Sequence, residues 1–577
     1  MTKENNNNQK NNGPNNEPKT ITALINQSIE KHGSANALSF FDKSPLTYRE
    51  LGDKIEELAG LLKKHGIRKG DRVAILGKNS PNWGISYLGI ASFGAVTVPI
   101  LPDFPAEDVE HILNHSESKL LFATKKQTEK LTFENCKTIK SIIILDDFSI
   151  ENTEFQTIPF SEFLSDTLDK VSLLIHDAGE KAGLISTEVS EDDLIAIIYT
   201  SGTTGFSKGV MLTHKNILSN LMAMREMIRF DETDRFLSIL PQSHSIEATL
   251  GFLLPLANGS SIYYLGAPPT PALMGKACPV AKPTVIVSVP LIIEKIYKKK
   301  VKNLFENSLL IRNLIRASFI KKILYKKAVK SILDFFGGHI RVMAFGGAPL
   351  NSEVEDFMIM GGFPYVPGYG LTETAPLLTG EPIGEARKGS CGYPLFNVEI
   401  KIVDPDPETG VGEIYAKGPN VMKGYFKNKK LTEEVLSADG WFKTGDRGYL
   451  GEEDYLYIQG RSKSMFLGSN GENIFPEVIE EKLNSLLCVQ ESIVVENKGD
   501  IEALIHLEPE FLETELEGRS EADQEEIMTG ILEGIRRDIN KRIPAFARIK
   551  KCYSQREPFQ KTATHKIKRY LYSYRDS

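Results

Sequence analysis

The chain has 577 residues, 41% hydrophobic and 25% charged, the balance of a soluble globular protein too long for a single core. Its formal net charge is −7, from 69 Lys and Arg against 76 Asp and Glu, so there is no global pull toward nucleic acid and any anion site must be local. The five cysteines (Cys136, Cys278, Cys391, Cys488 and Cys552) are scattered without a C-x-x-C pair, which points to a reducing cytoplasm and away from a disulfide framework or structural zinc.

Residues 1–19 are rich in Asn and poor in apolar side chains, the composition of a disordered tail, and carry no apolar core of a signal peptide. An amphipathic helix is predicted over 48–65 and a β-branched strand over 72–76. Two uncharged stretches, 79–102 and 248–275, approach the length of a membrane span. Gly84, Gly89, Gly94 and Pro99 interrupt the first, and Gly251, Pro255, Gly259 and Pro268 the second, so buried helix–turn–strand units are expected instead. Short β-branched runs at 194–199, 261–265, 284–289 and 340–345 alternate with helical patterns, which argues an α/β fold with largely parallel sheets. Residues 399–457 show close-spaced strands with Gly and Asp-Pro turns, the pattern of a small β subdomain. After Gly460 a helix near 476–487, paired strands near 491–495 and 501–507, a charged helix over 521–542 and a basic tail suggest a separate α+β unit. The expected division is a tail 1–19, a large N-terminal domain 20–460 of two α/β subdomains plus the β subdomain, and a C-terminal domain 461–577. No internal repeat is evident.

The segment Tyr199-Thr-Ser-Gly-Thr-Thr-Gly-Phe-Ser-Lys-Gly209 follows an apolar run, so it is placed on a loop leaving a strand. Gly202, Gly205 and Gly209 allow tight turns, Thr200, Ser201, Thr203 and Thr204 supply hydroxyls, and Lys208 supplies a positive charge. Together they form a cradle for polyphosphate, although a polar loop without a ligand has the same composition. The order differs from a Walker A loop, because Ser207 precedes Lys208 and Gly209 follows it.

This segment resembles the signature of the adenylate-forming superfamily of acyl-CoA synthetases, peptide-synthetase adenylation domains and luciferases. Four further motifs follow in that family's order, and the resemblance spans roughly 21–572, nearest to long-chain fatty acyl-CoA ligases. It implies a C-terminal domain that moves, and a reaction in which ATP activates a fatty acid as acyl-AMP before transfer to coenzyme A.

Leu240-Pro-Gln-Ser-His-Ser-Ile-Glu247 is similar to the long-chain ligases' L-P-x-x-H-x-x-E, which implies a place for His244 beside the carboxylate end of the acyl pocket. The uncharged residues after it could wall an apolar tunnel. Lys282-Pro-Thr-Val-Ile-Val-Ser-Val-Pro290 is also similar to that group. The turn Phe345-Gly-Gly-Ala-Pro349 implies backbone against adenine at Gly346, Gly347 and Ala348. In Gly368-Tyr-Gly-Leu-Thr-Glu-Thr374, Tyr369 offers an aromatic face and Gly370 a tight turn. The resemblance implies that Thr372 touches the α-phosphate and that Glu373 holds Mg²⁺, which suits a hard ion's preference for oxygen. Lys443-Thr-Gly-Asp446 and Gly460-Arg461 imply that Asp446 accepts from the ribose hydroxyls and that Arg461 supports the same sugar. Further on, Lys463 matches the family's hinge, and the loop from Gly468 to Gly471 its thiol approach. Ser464 stands where many relatives carry Asp. The last motif, Lys561-Thr-Ala-Thr-His-Lys-Ile-Lys-Arg569, has His565 where the family usually has Gly, and assigns the catalytic lysine to Lys566.

Residues 295–330 hold twelve Lys or Arg and one acid, Glu306, interleaved with apolar residues. This basic amphipathic region suits an anionic membrane surface, the acidic face of an acyl carrier protein, or packing on the main domain with a solvated basic side. The co-substrates implied are ATP, Mg²⁺ and coenzyme A, and the place is the cytoplasm, with peripheral contact at the inner face of a membrane as an alternative. Rival readings are an acyl–acyl carrier protein ligase whose carrier acts in trans, since no carrier domain follows Ser577, and a non-catalytic nucleotide- or lipid-binding relative. The joint presence of Lys208, Glu373, Asp446, Arg461 and Lys566 speaks against the last.

Overall fold

The structure is a computed structural model and describes residues 18–151, 189–200, 207–303, 317–467, 473–497, 499–562 and 567–572. Among these residues a large α/β N-terminal part is followed by a smaller α+β C-terminal part.

Two mixed sheets carry the N-terminal part. In the first, Arg72–Leu76, Val96–Ile100, Leu120–Ala123 and Ser141–Ile144 run parallel, and Leu194–Thr200 joins them beside Val96–Ile100. The chain then reverses: Lys208–Thr213 pairs antiparallel with Leu194–Thr200, and Gly424–Tyr425 adds antiparallel at that edge. The sheet is largely parallel, as expected, and its antiparallel end carries the two flanks of the Gly- and hydroxyl-rich segment. In the second sheet Tyr365–Pro367, Val342–Phe345, Val285–Ser288, Arg235–Ser238, Ser261–Tyr264 and Asn36–Phe40 are parallel neighbours, with Leu46–Thr47 antiparallel at the end.

Local chemistry explains the helices that cover these sheets. Thr47 and Glu50 form a reciprocal capping box for the helix Tyr48–Lys64, whose Leu51, Ile55, Leu58 and Leu62 are buried along one stripe. The uncharged stretch 79–102 becomes the helix Pro81–Ser92 and the strand Val96–Ile100, both buried. Trp83 stacks on Tyr87 with ring centroids 5.5 Å apart, and Phe252 meets both edge-on at 6.0 Å. A Cβ on Gly84 would stand 2.7 Å from the Phe252 ring, and one on Gly89 would stand 2.3 Å from Leu58, so these glycines admit close packing. The second uncharged stretch contributes Phe252, Leu253 and Leu256 to the same core, continues into the strand Ser261–Tyr264, and enters the helix Pro271–Ala281. Among the described residues no helix is long and apolar enough to cross a membrane.

Glu399–Val403, Gly412–Lys417, Phe442–Leu450 and Leu456–Arg461 form an antiparallel sheet, in line with the β pattern of that region. In the C-terminal part Val489–Asn497 and Asp500–Leu507 pair antiparallel. Lys551–Ser554, a strand the sequence pattern does not announce, adds parallel to the second. The helices Pro476–Asn484 and Glu521–Asn540 bury Ile479, Leu483, Leu532, Ile535 and Ile539 against this sheet.

The basic stretch has two fates. Its helix Pro290–Ile296 runs into a π-helical turn, Tyr297–Lys302, which faces the C-terminal part. There Lys298 Nζ donates to the Val489 carbonyl at 2.5 Å and lies 3.6 Å from Glu508. Lys302 Nζ donates to the Ser485 carbonyl at 3.0 Å and to Glu353 at 2.7 Å. The Ser352 amide donates to Glu481 at 2.9 Å across the same junction. The later helix, Ser318–Phe335, buries Tyr325, Val329 and Ile332 and leaves Lys322, Lys326, Lys327 and Lys330 exposed, with Phe319 75% and Ile323 51% exposed.

Candidate active site

The candidate site is assembled where strands end. Phe345 pairs with Ser288 on one side and Pro367 on the other, so the turns Gly346–Gly347–Ala348 and Gly368–Tyr369–Gly370 leave neighbouring parallel strands at their carboxyl ends, the usual ligand position in α/β sheets. Gly347 has φ +81°, a backbone region that favours glycine. At Gly370 a Cβ would stand 1.9 Å from the Pro376 carbonyl, so the doubling-back of this chain requires glycine.

Next comes the short 3₁₀ turn Thr372–Thr374. Asn220 and Asn420, both buried, donate to the Thr374 carbonyl at 3.1 and 3.2 Å, and the Met422 amide donates to the Glu373 carbonyl at 2.9 Å. The Glu373 side chain is fixed as well: the Tyr425 hydroxyl donates to its Oε1 at 2.8 Å. The face of the Tyr425 ring carries Lys208 Nζ at 5.3 Å from its centroid. Lys208 sits opposite Thr200 in the antiparallel pair, so these two residues mark the flanks of the polar loop. Its ammonium is held below the ordinary lysine pKa chiefly by burial and then by the charge of Lys463, with Glu373 and Glu434 opposing. Lys463 therefore belongs to the same electrostatic neighbourhood as Lys208.

Asp446, expected to meet the sugar, is 6% exposed and lies directly opposite Arg461 in the antiparallel pair. Arg461 Nε is 3.4 Å from Asp446 Oδ1, and the Tyr369 hydroxyl donates to Oδ2 at 2.7 Å. Burial, and after it the Asp446 charge, pushes the Tyr369 phenol well above its ordinary pKa, so it remains a donor.

The motif 240–247 meets the Thr372–Thr374 turn through Ser245, whose hydroxyl is 3.3 Å from that of Thr372. Ile246 lies against the Gly346–Gly347 turn, 3.6 and 3.8 Å from where Cβ atoms would stand. His244, half-buried on this loop, accepts from the Ile246 amide at Nδ1 over 3.4 Å. Behind it is a buried polar chain. Glu247 Oε1 accepts from Ser238 at 2.6 Å, Asn79 donates to Ser238 at 2.8 Å, Asn79 Oδ1 accepts from the Gln242 amide, and Gln242 donates to Tyr264 at 2.9 Å. Burial pushes the Glu247 carboxyl up to about 8, with the Ser238 hydroxyl opposing.

The structure thus brings together Thr200, Lys208, Thr372 and Glu373 on one side and Tyr369, Asp446 and Arg461 on the other, with His244 on the adjoining loop. Ser201, Gly202, Thr203, Thr204, Gly205, Gly468, Gly471 and Lys566 lie outside the described residues. Sequence reasoning missed Tyr425, which stands 52 positions from its partner Glu373 in a Gly-Tyr pair with no motif of its own. It also missed Ser245, although that residue lies inside a motif already singled out. A hard divalent ion needs only one or two carboxylates when phosphates complete its shell. Glu373 beside the Thr372 hydroxyl fits such an ion, and no cluster of three or more potential metal ligands occurs among the described residues.

Known proteins resemble the chain in sequence and in fold. Residues 25–426 match the family model described as AMP-binding enzyme. The chain is 27% identical over 552 residues to a chloroplastic long-chain-fatty-acid–[acyl-carrier-protein] ligase of Arabidopsis thaliana, covering 83% of this chain and 74% of that one. It is 28% identical over 498 residues to a long-chain-fatty-acid–CoA ligase of Mycobacterium bovis, covering 81% and 78%. To a probable 4-coumarate–CoA ligase of Dictyostelium discoideum it is 30% identical over 479 residues, covering 79% and 80%. Among solved structures, an anthranilate CoA ligase in complex with anthranoyl-AMP shares the fold with a TM-score of 0.74 at 19% identity, covering 96% of each chain. An o-succinylbenzoate coenzyme A synthetase of Bacillus subtilis, in complex with ATP and magnesium ion, has a TM-score of 0.71 at 24% identity, covering 95% of this chain and 98% of that one. The chain belongs to the AMP-binding enzyme family, and its chemistry is the ATP-dependent conversion of a carboxylic acid to an acyl-adenylate.

Proposed function

We propose that the protein activates a long-chain fatty acid as acyl-AMP and then transfers the acyl group to coenzyme A, releasing AMP and pyrophosphate. The observation that supports this most is the meeting of three segments around the Thr372–Thr374 turn: Ser245 from the acyl-side motif, Tyr425 with Lys208 from the phosphate side, and Tyr369 with Asp446 from the sugar side. The names carried by the Arabidopsis and Mycobacterium relatives support the substrate class.

In this reading Thr200 and Lys208, with Ser201, Gly202, Thr203, Thr204 and Gly205, hold the phosphates. Gly346, Gly347, Ala348, Tyr369 and Gly370 hold the adenine, and Asp446 and Arg461 the ribose. His244 and Ser245 orient the fatty carboxylate so that an oxygen attacks the α-phosphorus in line with departing pyrophosphate. Thr372 touches the same phosphate, and Mg²⁺ brought with ATP and held by Glu373 offsets the phosphate charge. Lys566 neutralises charge that builds at the pentavalent centre, so catalysis is positioning and electrostatics with no protein nucleophile. For the second half-reaction the C-terminal domain, 461–577, turns about Lys463, withdraws Lys566 and offers the Gly468–Gly471 face to the thiol. Residues of the stretch 248–257 are engaged in the core, and Ile246 and Val289, beside the Gly346–Gly347 turn, offer the acyl chain apolar contact.

A second reading exchanges coenzyme A for an acyl carrier protein. The name of the Arabidopsis relative and the exposed basic face of the helix Ser318–Phe335 favour it. That face, bearing Lys322, Lys326, Lys327 and Lys330 around Phe319 and Ile323, also suits peripheral binding to an anionic membrane from the cytoplasm. The basic cluster at 298–302 suits neither partner as well, because Lys298 and Lys302 are engaged with the C-terminal part. Incubation with ATP, Mg²⁺, palmitate and each acceptor separately tests the choice. Palmitoyl-CoA is the expected product, and thioester on the carrier alone selects the second reading.

A further inference from the structure

Lys208 and Glu373 carry the opposite charges that a Mg²⁺–triphosphate complex needs, and both are held by one side chain outside the motifs. Tyr425 lies on the two-residue strand Gly424–Tyr425, paired with Met211 and Val210. Val210 is two positions from Lys208 on the same strand, so Tyr425 and Lys208 are diagonal neighbours on one face of the sheet. That register explains why the ammonium rests over the ring at 5.3 Å.

The strand is stitched down on both sides. The Lys423 amide donates to the Met211 carbonyl at 3.0 Å, and the Phe426 amide to the Gly209 carbonyl at 2.8 Å. The Tyr425 amide donates to the Thr432 hydroxyl at 2.9 Å, and the Met422 amide donates to the Glu373 carbonyl at 2.9 Å. With its backbone fixed and its side chain 6% exposed, Tyr425 has little freedom, and its hydroxyl ends 2.8 Å from Glu373 Oε1.

We propose that Tyr425 is a positioning residue that sets Glu373 for the divalent ion and Lys208 for the phosphates, each through a neutral contact. The inference rests on the adenylation reading given above. A phenol orients a carboxylate without cancelling its charge, whereas a Lys or Arg at this place would compete with the cation. The ring's electron-rich face likewise holds an ammonium without neutralising it. Groups that hydrogen-bond to metal-binding carboxylates are commonly worth about 10- to 100-fold in metal affinity.

Tyr425→Phe keeps the ring and removes only the hydroxyl. The expected result is about a tenfold rise in the Mg²⁺ concentration that half-saturates palmitate-dependent ATP–pyrophosphate exchange. Mn²⁺ affinity of the enzyme–ATP complex, read by electron paramagnetic resonance without turnover, should fall by about the same factor. Tyr425→Leu should in addition weaken ATP binding at saturating Mg²⁺, because Lys208 loses its platform, and a thermal melt of each variant checks the fold. A Tyr425→Phe protein that binds Mn²⁺ as the wild type does overturns the proposal, whatever happens to turnover. If the wild-type protein catalyses no exchange with any carboxylic acid, the adenylation reading fails, while the Mn²⁺ measurement still reports on Tyr425 independently.

Discussion

The Tyr369 hydroxyl donates to Asp446 at 2.7 Å, joining the aromatic residue proposed for adenine to the carboxylate proposed for ribose. Since Arg461 takes the other oxygen of Asp446 at 3.4 Å, the carboxylate is held from two sides before any nucleotide arrives. In the proposed function, nucleotide recognition therefore depends on the three residues together.

Asp446→Asn should raise the apparent KM for ATP in pyrophosphate exchange by about tenfold or more, since hydrogen bonds to a charged group contribute about 1.5–3 kcal/mol. Tyr369→Phe, which keeps the ring, should have a smaller effect. The double variant should fall short of the sum by about 1 kcal/mol, because residues in one network couple. Strict additivity would show that Tyr369 does not position Asp446.

Lys566→Ala should lower the rate of acyl-AMP formation by about two to three orders of magnitude, the usual consequence of removing a group that stabilises transition-state charge. Thioester formation from supplied palmitoyl-AMP should be largely spared. Equal loss of both half-reactions would contradict a lysine that serves only the first.

Glu247 links pH to stability. Its carboxyl, buried in the chain with Ser238, Asn79, Gln242 and Tyr264, is pushed up to about 8 from the ordinary 4.5. Between those values the folded protein binds a proton at this site that the unfolded chain has lost, so stability falls as pH rises through the window. Glu247→Gln keeps an acceptor for Ser238 and does not titrate. It should therefore gain on the wild type, by on the order of 1 kcal/mol per pH unit, in urea unfolding from about pH 5 to about pH 8. Parallel stability profiles would show that the carboxyl is ordinary.

The two fates of the basic stretch separate by mutation. Lys298→Ala with Lys302→Ala removes contacts to the Val489 and Ser485 carbonyls and should speed amide hydrogen exchange around 485–489, leaving vesicle binding unchanged. Reversing Lys326, Lys327 and Lys330 to Glu should abolish binding to phosphatidylserine-containing vesicles, since each basic residue near such a surface contributes about 1 kcal/mol. The opposite assignment of effects would place the membrane surface at the π-helical turn.

The motifs that contribute Lys208, Tyr369, Glu373 and Asp446 were legible in the sequence because their residue types are chemically unusual, and the structure places Lys208 near Glu373 through Tyr425 and Tyr369 against Asp446. The expected α/β core was legible too, down to the buried stretch 79–102, whose glycines proved to admit Phe252 and Leu58. What escaped was set by tertiary pairing. The antiparallel pairing of Lys208–Thr213 with Leu194–Thr200 was not foreseen, because the polar segment between them was read for phosphate chemistry and not as the connection of a hairpin. Tyr425 escaped because a tyrosine acquires its role only from what the fold puts under its ring and at its hydroxyl. Lys298 and Lys302 read as part of a basic amphipathic surface because each bonds a backbone carbonyl almost two hundred positions away, which no pattern in the sequence announces.

The most direct test needs no variant. Purified protein with ATP, Mg²⁺ and palmitate, and no thiol, should catalyse acid-dependent exchange of pyrophosphate into ATP and accumulate enzyme-bound palmitoyl-AMP detectable by mass spectrometry. Failure to form any acyl-AMP, or to cleave ATP to AMP and pyrophosphate, with every acid from acetate to oleate would contradict adenylation at this cleft.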